Sequence, residues 1–80
     1  NMDTLSQLKT ILSQEFGIDI NNIDSQSTIQ GNLNLDSVDV ISLVASIEIK
    51  FQVSLNEEDL LPIETLQQLA DLIDDRLSHA

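Results

Sequence analysis

The sequence contains no cysteine, tryptophan or tyrosine, and its only aromatic side chains are Phe16 and Phe51. Without cysteine the chain forms neither a disulfide nor a thiolate metal site, and it has no thiol of its own. The core must therefore be built from aliphatic side chains. With 80 residues, the chain (1–80) is a single domain near the lower size limit for folding without disulfides or metals.

Basic residues are also scarce: Lys9, Lys50 and Arg76 stand against 14 Asp and Glu, which gives a net charge of −11. Such a charge repels phosphate backbones and anionic membranes, so we expect no nucleic-acid binding and no membrane binding. The surface favours partners with basic patches. A charge that merely keeps a small protein in solution explains the composition equally well.

The sequence has no apolar run of about 18 residues and no signal-peptide pattern, so we expect a soluble, cytoplasmic protein. We also expect it to be a monomer. The opening Asn1-Met2 indicates a tag remnant before a native initiator methionine, hence the product of its own short gene. Residues 78–80 are expected to form a frayed tail.

Four segments have helical periodicity, and none is typical of a strand. The predicted helices run from Thr4 to Phe16, from Ser37 to Phe51, from Glu57 to Leu61 and from Leu66 to Leu77. The helix starts are indicated by capping boxes at Thr4/Gln7 and Thr65/Gln68 and by the N-caps Asp36 and Asn56. Gly17 and Pro62 indicate where the first and third helices end. Residues 18–35 form a long loop, and its spaced aliphatic side chains predict that it is pinned across the helices. The predicted fold is all-α: a small antiparallel four-helix bundle of three longer helices and one short helix, with a long first loop.

Common catalytic and metal-binding patterns are absent. The single histidine, His79, lies next to the C-terminus, where it is poorly placed to serve as a general base. The acidic loop starting at Asp19 does not match a calcium-binding EF-hand, because its sixth residue is Asp24 and its twelfth is Gln30. With only two glycines, the chain also has no Gly-rich phosphate loop.

The remaining candidate is Ser37, which opens the second predicted helix in the stretch L-N-L-D-S-V-D-V (33–40). An Asp-Ser pair is an ordinary helix cap, and taken alone that explanation suffices. Three features favour a functional serine. A helix N-terminus stabilises an attached phosphodiester, the long apolar helix is a rigid mount, and Leu33 and Leu35 anchor the junction from the loop side.

The stretch L-N-L-D-S-V-D-V-I-S-L-V-A-S-I-E-I-K-F resembles the L-G-x-D-S-L signature and second helix of acyl carrier proteins. The similarity extends to the first helix, the long loop, F-x-V-x-L after the second helix, the short acidic third helix and T-L-x-x-L-A-x-x-I in the fourth. The resemblance implies that a phosphopantetheinyl transferase moves a 4′-phosphopantetheine arm from coenzyme A onto Ser37, and that Asp36 helps to bind the transferase's metal. It also implies that the chain is not an enzyme. Its arm supplies the thiol, and an acyltransferase, ketosynthase or similar biosynthetic enzyme performs the chemistry.

The sequence departs from the family pattern at several positions. Asn34 and Gln52 replace glycines, Val38 replaces a leucine and Ile29 replaces an aromatic residue. By analogy with the family, the cargo is expected to be sheltered among the helices, near Leu43, Ile47, Phe51, Ile63 and Leu69.

Family members dock partners through the exposed face of the second helix, which usually carries glutamates. The residues predicted to bind partners here are Val38, Asp39, Ile41, Ser42, Ala45, Glu48 and Ile49. Since most are uncharged, we hypothesise a polyketide or other secondary-metabolite pathway with recognition by hydrophobic contact. Fatty-acid biosynthesis remains an alternative. So do an aminoacyl or peptidyl carrier, although its typical G-G-x-S is absent, and an acidic adaptor that carries nothing.

Overall fold

The structure, a computed structural model, describes residues 2–79, so the predictions for Asn1 and Ala80 lie outside the described residues. The helices are α1 (Thr4–Phe16), α2 (Ser37–Phe51), α3 (Glu57–Leu60) and α4 (Leu66–Ser78), with a 3₁₀ turn at Ile20–Asn22. The all-α, four-helix prediction is confirmed. The first two helices have the predicted bounds. The third helix ends one residue earlier than predicted, and the fourth ends one residue later.

Local side-chain hydrogen bonds define where α2 and α4 begin. Asp36 accepts from the Asp39 amide at 2.8 Å, and Asp39 accepts in return from the Asp36 amide at 3.0 Å. Thr65 and Gln68 form the same reciprocal pair, at 3.2 and 3.0 Å. Each pair satisfies two amides that the helix itself leaves without a partner, which is why both predicted N-caps are correct.

The predicted capping box at Thr4 and Gln7 is wrong. The N-cap of α1 is Asp3, whose carboxylate accepts from the Ser6 amide at 2.8 Å, and Thr4 is already helical. Aspartate is at least as good an N-cap as threonine, so the helix starts after the earlier residue. At the other end Gly17 closes α1 with φ 68°, as predicted, in the left-handed conformation that glycine adopts without strain.

The core is aliphatic, and α1 packs against both α2 and α4. Leu8 and Leu12 of α1, Leu43 and Ile47 of α2, and Leu66, Leu69 and Ile73 of α4 are almost completely buried. Val40, Val44 and Phe51 are partly buried beside Leu43 and Ile47 on the inner face of α2, which agrees with the helical periodicity predicted for this segment. Leu77, the predicted last residue of the fourth helix, continues the apolar periodicity of α4 but is 42% exposed in its final turn.

The long loop between α1 and α2 is tied to the start of α4 by backbone hydrogen bonds. The Ile29 amide donates to Glu64 O at 3.0 Å, and the Leu66 amide donates to Ser27 O at 3.0 Å. Ile23, Ile29, Leu33 and Leu35 are buried, as the spacing predicted, but Ile20 is 44% exposed. Pinning at these points gives the loop a defined path to the N-terminus of α2.

Candidate functional site

Ser37 is the first residue of α2, and its side chain lies in an exposed position. Asp36 precedes it as the N-cap and holds the Asp39 amide, so the first turn of the helix is well formed. The amides of Ser37 and Val38 have no intrahelical partner, as in the first turn of any helix. Together with the helix dipole, they create a local positive potential suited to a phosphodiester on the Ser37 hydroxyl.

The loop side of Ser37 is anchored by two buried leucines. Leu33 and Leu35 are 6% and 5% exposed, and the Leu35 amide donates to Ile29 O at 3.2 Å. Between them Asn34 has φ 55°, which turns the chain while both leucines stay in the core. The predicted anchoring role of Leu33 and Leu35 agrees with this geometry.

The adjoining part of the loop is a tight turn around Thr28. The Thr28 amide donates to Asn32 Oδ1 at 2.8 Å, and the Asn32 amide donates to Thr28 Oγ1, also at 2.8 Å. A Cβ on Gly31 would lie 2.5 Å from Thr28 Oγ1, which is too close for any side chain. Glycine at 31 therefore permits the turn.

A groove of about 990 Å³ opens beside Ser37, between α2, α3 and the turn at residues 28–31. Its aliphatic lining comprises Ile29, Val40, Ile41, Leu43, Val44, Leu55, Leu60, Leu61, Ile63 and Leu69. Of the residues predicted to surround the cargo, Leu43, Ile63 and Leu69 line this groove. Ile47 and Phe51 do not, because they follow α2 away from Ser37, where Ile47 is fully buried among the other helices.

The short helix α3, which forms one wall of the groove, is fastened to α4 by an ion pair. Arg76 Nη2 lies 2.7 Å from Asp59 Oδ1, and the Asn56 amide donates to Asp59 Oδ2 at 3.0 Å. The Asn56 amide, and then Arg76, lower the pKa of Asp59 below its usual value. In turn Asp59 raises the pKa of Arg76. A helix of only four residues needs such contacts, since it has little stability of its own.

The chain matches a known protein family over most of its length. A family model described as "Phosphopantetheine attachment site" matches residues 6–73. The chain belongs to the acyl carrier protein family. It is 30% identical over 73 residues to an acyl carrier protein of Helicobacter hepaticus (91% of this chain, 96% of the relative). It is 29% identical over 72 residues to that of Trieres chinensis (90% of each chain).

Solved structures of acyl carrier proteins share the fold. The crystal structure of the Thermotoga maritima protein superposes with a TM-score of 0.81 at 28% identity, covering 94% of this chain and 87% of that one. The Enterococcus faecalis protein gives 0.76 at 29% identity, covering 94% and 99%. The chain is thus a non-catalytic carrier whose prosthetic group is 4′-phosphopantetheine, and its family works with phosphopantetheinyl transferases and biosynthetic enzymes.

The residues predicted to bind partners of this carrier do not all offer free side chains. Val38, Ile41 and Ile49 are 72%, 70% and 79% exposed, and Ser42 and Ala45 are also exposed. Asp39 is used in the cap of α2. Glu48 is half-buried, and its Oε2 accepts from the Leu55 amide at 2.9 Å, which holds the segment between α2 and α3.

Leu61 is an exposed groove residue that the sequence pattern does not single out. The pattern predicts it as the last residue of the third helix, but it lies just past α3, is 82% exposed and lines the groove. The available signal was its position immediately before Pro62, where a helix normally ends and an apolar residue can remain outside the core.

Two other sequence features have structural roles. Asp19 accepts from the Asn21 amide at 2.9 Å at the start of the 3₁₀ turn. His79 Nδ1 lies 2.7 Å from Asp75 O at the end of α4, far along the chain from Ser37. Within residues 2–79, no helix is long and apolar enough to cross a membrane.

Proposed function

We propose that Ser37 carries the 4′-phosphopantetheine arm, and that Asp36 is recognised by the transferase and its metal. The observation that carries this proposal is the exposed hydroxyl at the first residue of α2, with a groove beginning beside it. The Ser37 hydroxyl is accessible to a transferase, and the N-terminus of α2 favours an attached phosphodiester. The buried Leu33 and Leu35 hold the segment before Ser37 in place. The arm supplies the thiol that a chain without cysteine lacks.

The groove fits an apolar cargo. Its inner lining is aliphatic, and the nearest acidic side chains, Glu57, Glu58 and Glu64, are exposed. An acyl chain attached through the arm gains by leaving water and packing against Val44, Leu60 and their neighbours. We therefore propose that this carrier holds acyl intermediates as thioesters and presents them to an acyltransferase, ketosynthase or similar enzyme.

For the pathway, we propose polyketide or other secondary-metabolite biosynthesis, with fatty-acid biosynthesis as the alternative. The uncharged outer face of α2 supports a dedicated set of partners, since a surface of Val38, Ile41 and Ile49 differs from the glutamate-rich face expected from the family resemblance. The aliphatic groove favours an acyl cargo over an aminoacyl or peptidyl one. The family match favours a carrier over an adaptor without cargo. Monomeric state and cytoplasmic location remain predictions.

The attachment site is tested by intact mass. The protein is incubated with coenzyme A and a phosphopantetheinyl transferase of broad specificity, and we expect the mass of one phosphopantetheine to be added. Ser37→Ala should gain nothing. Ser6→Ala is the matched control, because it removes an exposed hydroxyl from α1, outside the residues predicted to bind partners, and it should still be modified. Full modification of Ser37→Ala would refute the assignment.

The cargo is tested on protein purified from its own host. Mass spectrometry of the arm ejected from the carrier should identify an acyl thioester. Oxygen atoms retained at several positions of the acyl chain would indicate a polyketide, whereas a chain that is fully reduced beyond its newest two-carbon unit would indicate a fatty acid. An aminoacyl group on the arm would refute the acyl proposal while leaving Ser37 as the attachment site.

A further inference from the structure

Acidic side chains border the groove that opens at the N-terminus of α2. Glu57 and Glu58 belong to α3, and Glu64 lies in the segment between α3 and α4; all three are exposed and line the groove. We call these three glutamates the acidic rim. The interior is aliphatic, with Leu43 and Leu69 almost completely buried. The groove therefore combines an apolar interior with a negatively charged mouth.

The three lysine and arginine side chains of the protein lie elsewhere. Arg76 is paired with Asp59 and Asp75 at 2.7 and 2.9 Å. Lys50 lines a separate groove between α1 and α2. Lys9 belongs to α1, which contributes no residue to the lining of the groove with the acidic rim. Within residues 2–79, no lysine, arginine or histidine lines this groove.

Backbone and side-chain contacts hold the acidic rim beside the groove. The Glu64 amide donates to Gln68 Oε1 at 2.7 Å, and Glu64 O accepts from the Ile29 amide at 3.0 Å. The other two glutamates extend from α3, which the ion pair between Arg76 and Asp59 fastens to α4. Because their backbone positions are fixed, the three carboxylates stay close to the mouth of the groove.

A carboxylate on the cargo is poorly suited to this groove. Among aliphatic side chains it loses its hydration and meets no cation, which makes its burial costly. At the mouth it meets the like charges of the acidic rim, which repel it. An uncharged acyl chain has neither cost and gains by leaving water.

We propose that the groove selects acyl groups by charge: it shelters uncharged chains and excludes chains that carry a carboxylate, and the acidic rim contributes to this exclusion. The inference rests on the proposed function, in which the arm on Ser37 brings the acyl group to the groove. Thioesters of dicarboxylic acids therefore stay outside the groove, accessible to an enzyme, whereas an uncharged chain on the same arm is covered.

The test compares hexanoyl, adipoyl and adipoyl methyl ester groups, which share one carbon backbone and are loaded with the arm from their coenzyme A thioesters. Adipoyl carries a carboxylate at its far end, and the methyl ester removes that charge but keeps the oxygen atoms. NMR signals of the Val44 and Ile63 methyl groups, which line the groove, report entry of the chain. The Ile73 methyl groups, buried outside the groove, are the reference.

Hexanoyl and the methyl ester should shift the Val44 and Ile63 signals relative to protein with an unacylated arm. The population of adipoyl in the groove should be about tenfold lower than that of its methyl ester at neutral pH, equivalent to about 1.4 kcal/mol. Its shifts should be smaller in proportion.

A charge reversal tests the acidic rim. Glu64→Lys places a cation at the mouth of the groove, so adipoyl should now shift the Val44 and Ile63 signals as its methyl ester does in wild type. The matched control, Asp71→Lys, makes the same change in net charge at an exposed position of α4 that does not line the groove. It should leave adipoyl excluded. Circular dichroism checks that each variant is folded.

The outcomes separate this inference from the proposed function. If wild-type protein gains no arm, the attachment proposal fails and the inference fails with it. If the arm is added but hexanoyl leaves the groove signals unchanged, the groove does not hold the cargo, and the inference is again overturned. If hexanoyl enters and adipoyl enters equally, or the methyl ester stays out as adipoyl does, only selection by charge is refuted. Continued exclusion of adipoyl from Glu64→Lys would refute the role of the acidic rim.

Discussion

Replacing Gln52 with glycine should raise the free energy of unfolding. Gln52 follows α2 directly and has φ 56° and ψ 49°, in the left-handed region. A residue with a Cβ pays for this conformation through a close approach to the following carbonyl oxygen, at a cost of about 1–2 kcal/mol. The side chain is exposed, so its removal sacrifices little packing.

The expected magnitude is smaller than the strain alone. Glycine relieves the contact, but it also gives the unfolded chain more freedom, which costs roughly 0.5–1 kcal/mol. Gln52→Gly should therefore stabilise the fold by about 0.5–1 kcal/mol. In a domain of this size that raises Tm by about 2–8 °C.

Asn34 is an internal comparison, because its φ of 55° nearly equals that of Gln52. Asparagine tolerates the left-handed conformation better than glutamine does, so Asn34→Gly should stabilise less than Gln52→Gly. Ser54→Gly, at an exposed position outside the left-handed set, is the control and should destabilise slightly. The measurement is urea unfolding followed by circular dichroism. A loss of stability in Gln52→Gly would refute the argument from backbone strain.

Three further predictions concern the walls of the groove. The pKa of Asp59 is lower in the folded than in the unfolded protein. The ionised carboxylate therefore stabilises the fold above the unfolded pKa, and this contribution is lost as the pH falls through the folded pKa. In acid unfolding curves, Asp59→Asn should lose less stability over this pH range than wild type. Gly31→Ala should cost about 1–3 kcal/mol in urea unfolding, because its Cβ overlaps Thr28 Oγ1; an unchanged midpoint would mean that the turn relaxes freely. If the groove holds the cargo, loading an octanoyl group on the arm should raise the Tm of wild type but not that of Val44→Trp, because the indole ring fills the groove. An equal rise in both proteins would mean that the octanoyl chain binds elsewhere.

Local signals were sufficient for most of the helical framework. Asp36 and Thr65 cap helices through contacts three residues away, and Gly17 ends α1 through its own backbone freedom, so each boundary depends on neighbouring sequence. The wrong prediction for the start of α1 has the same local origin, because Asp3 and Thr4 are adjacent and either residue type can cap a helix. Leu77 is exposed although it continues the apolar periodicity of α4. Periodicity identifies the apolar face of a helix, but it does not show how far the core extends along that face.

The composition of the core, most helix boundaries and the candidate serine follow from the sequence, because they depend on residue type and on spacings of a few residues. The surroundings of Ser37 depend on contacts between residues that are distant in the sequence. The groove forms where α2, α3 and the turn at 28–31 meet, and Arg76 reaches Asp59 from a different helix. Glu48, which on a helical wheel flanks the outer face, bonds instead to the Leu55 amide. These contacts join segments brought together by burial of aliphatic side chains, a force without direction, so local sequence patterns do not specify them.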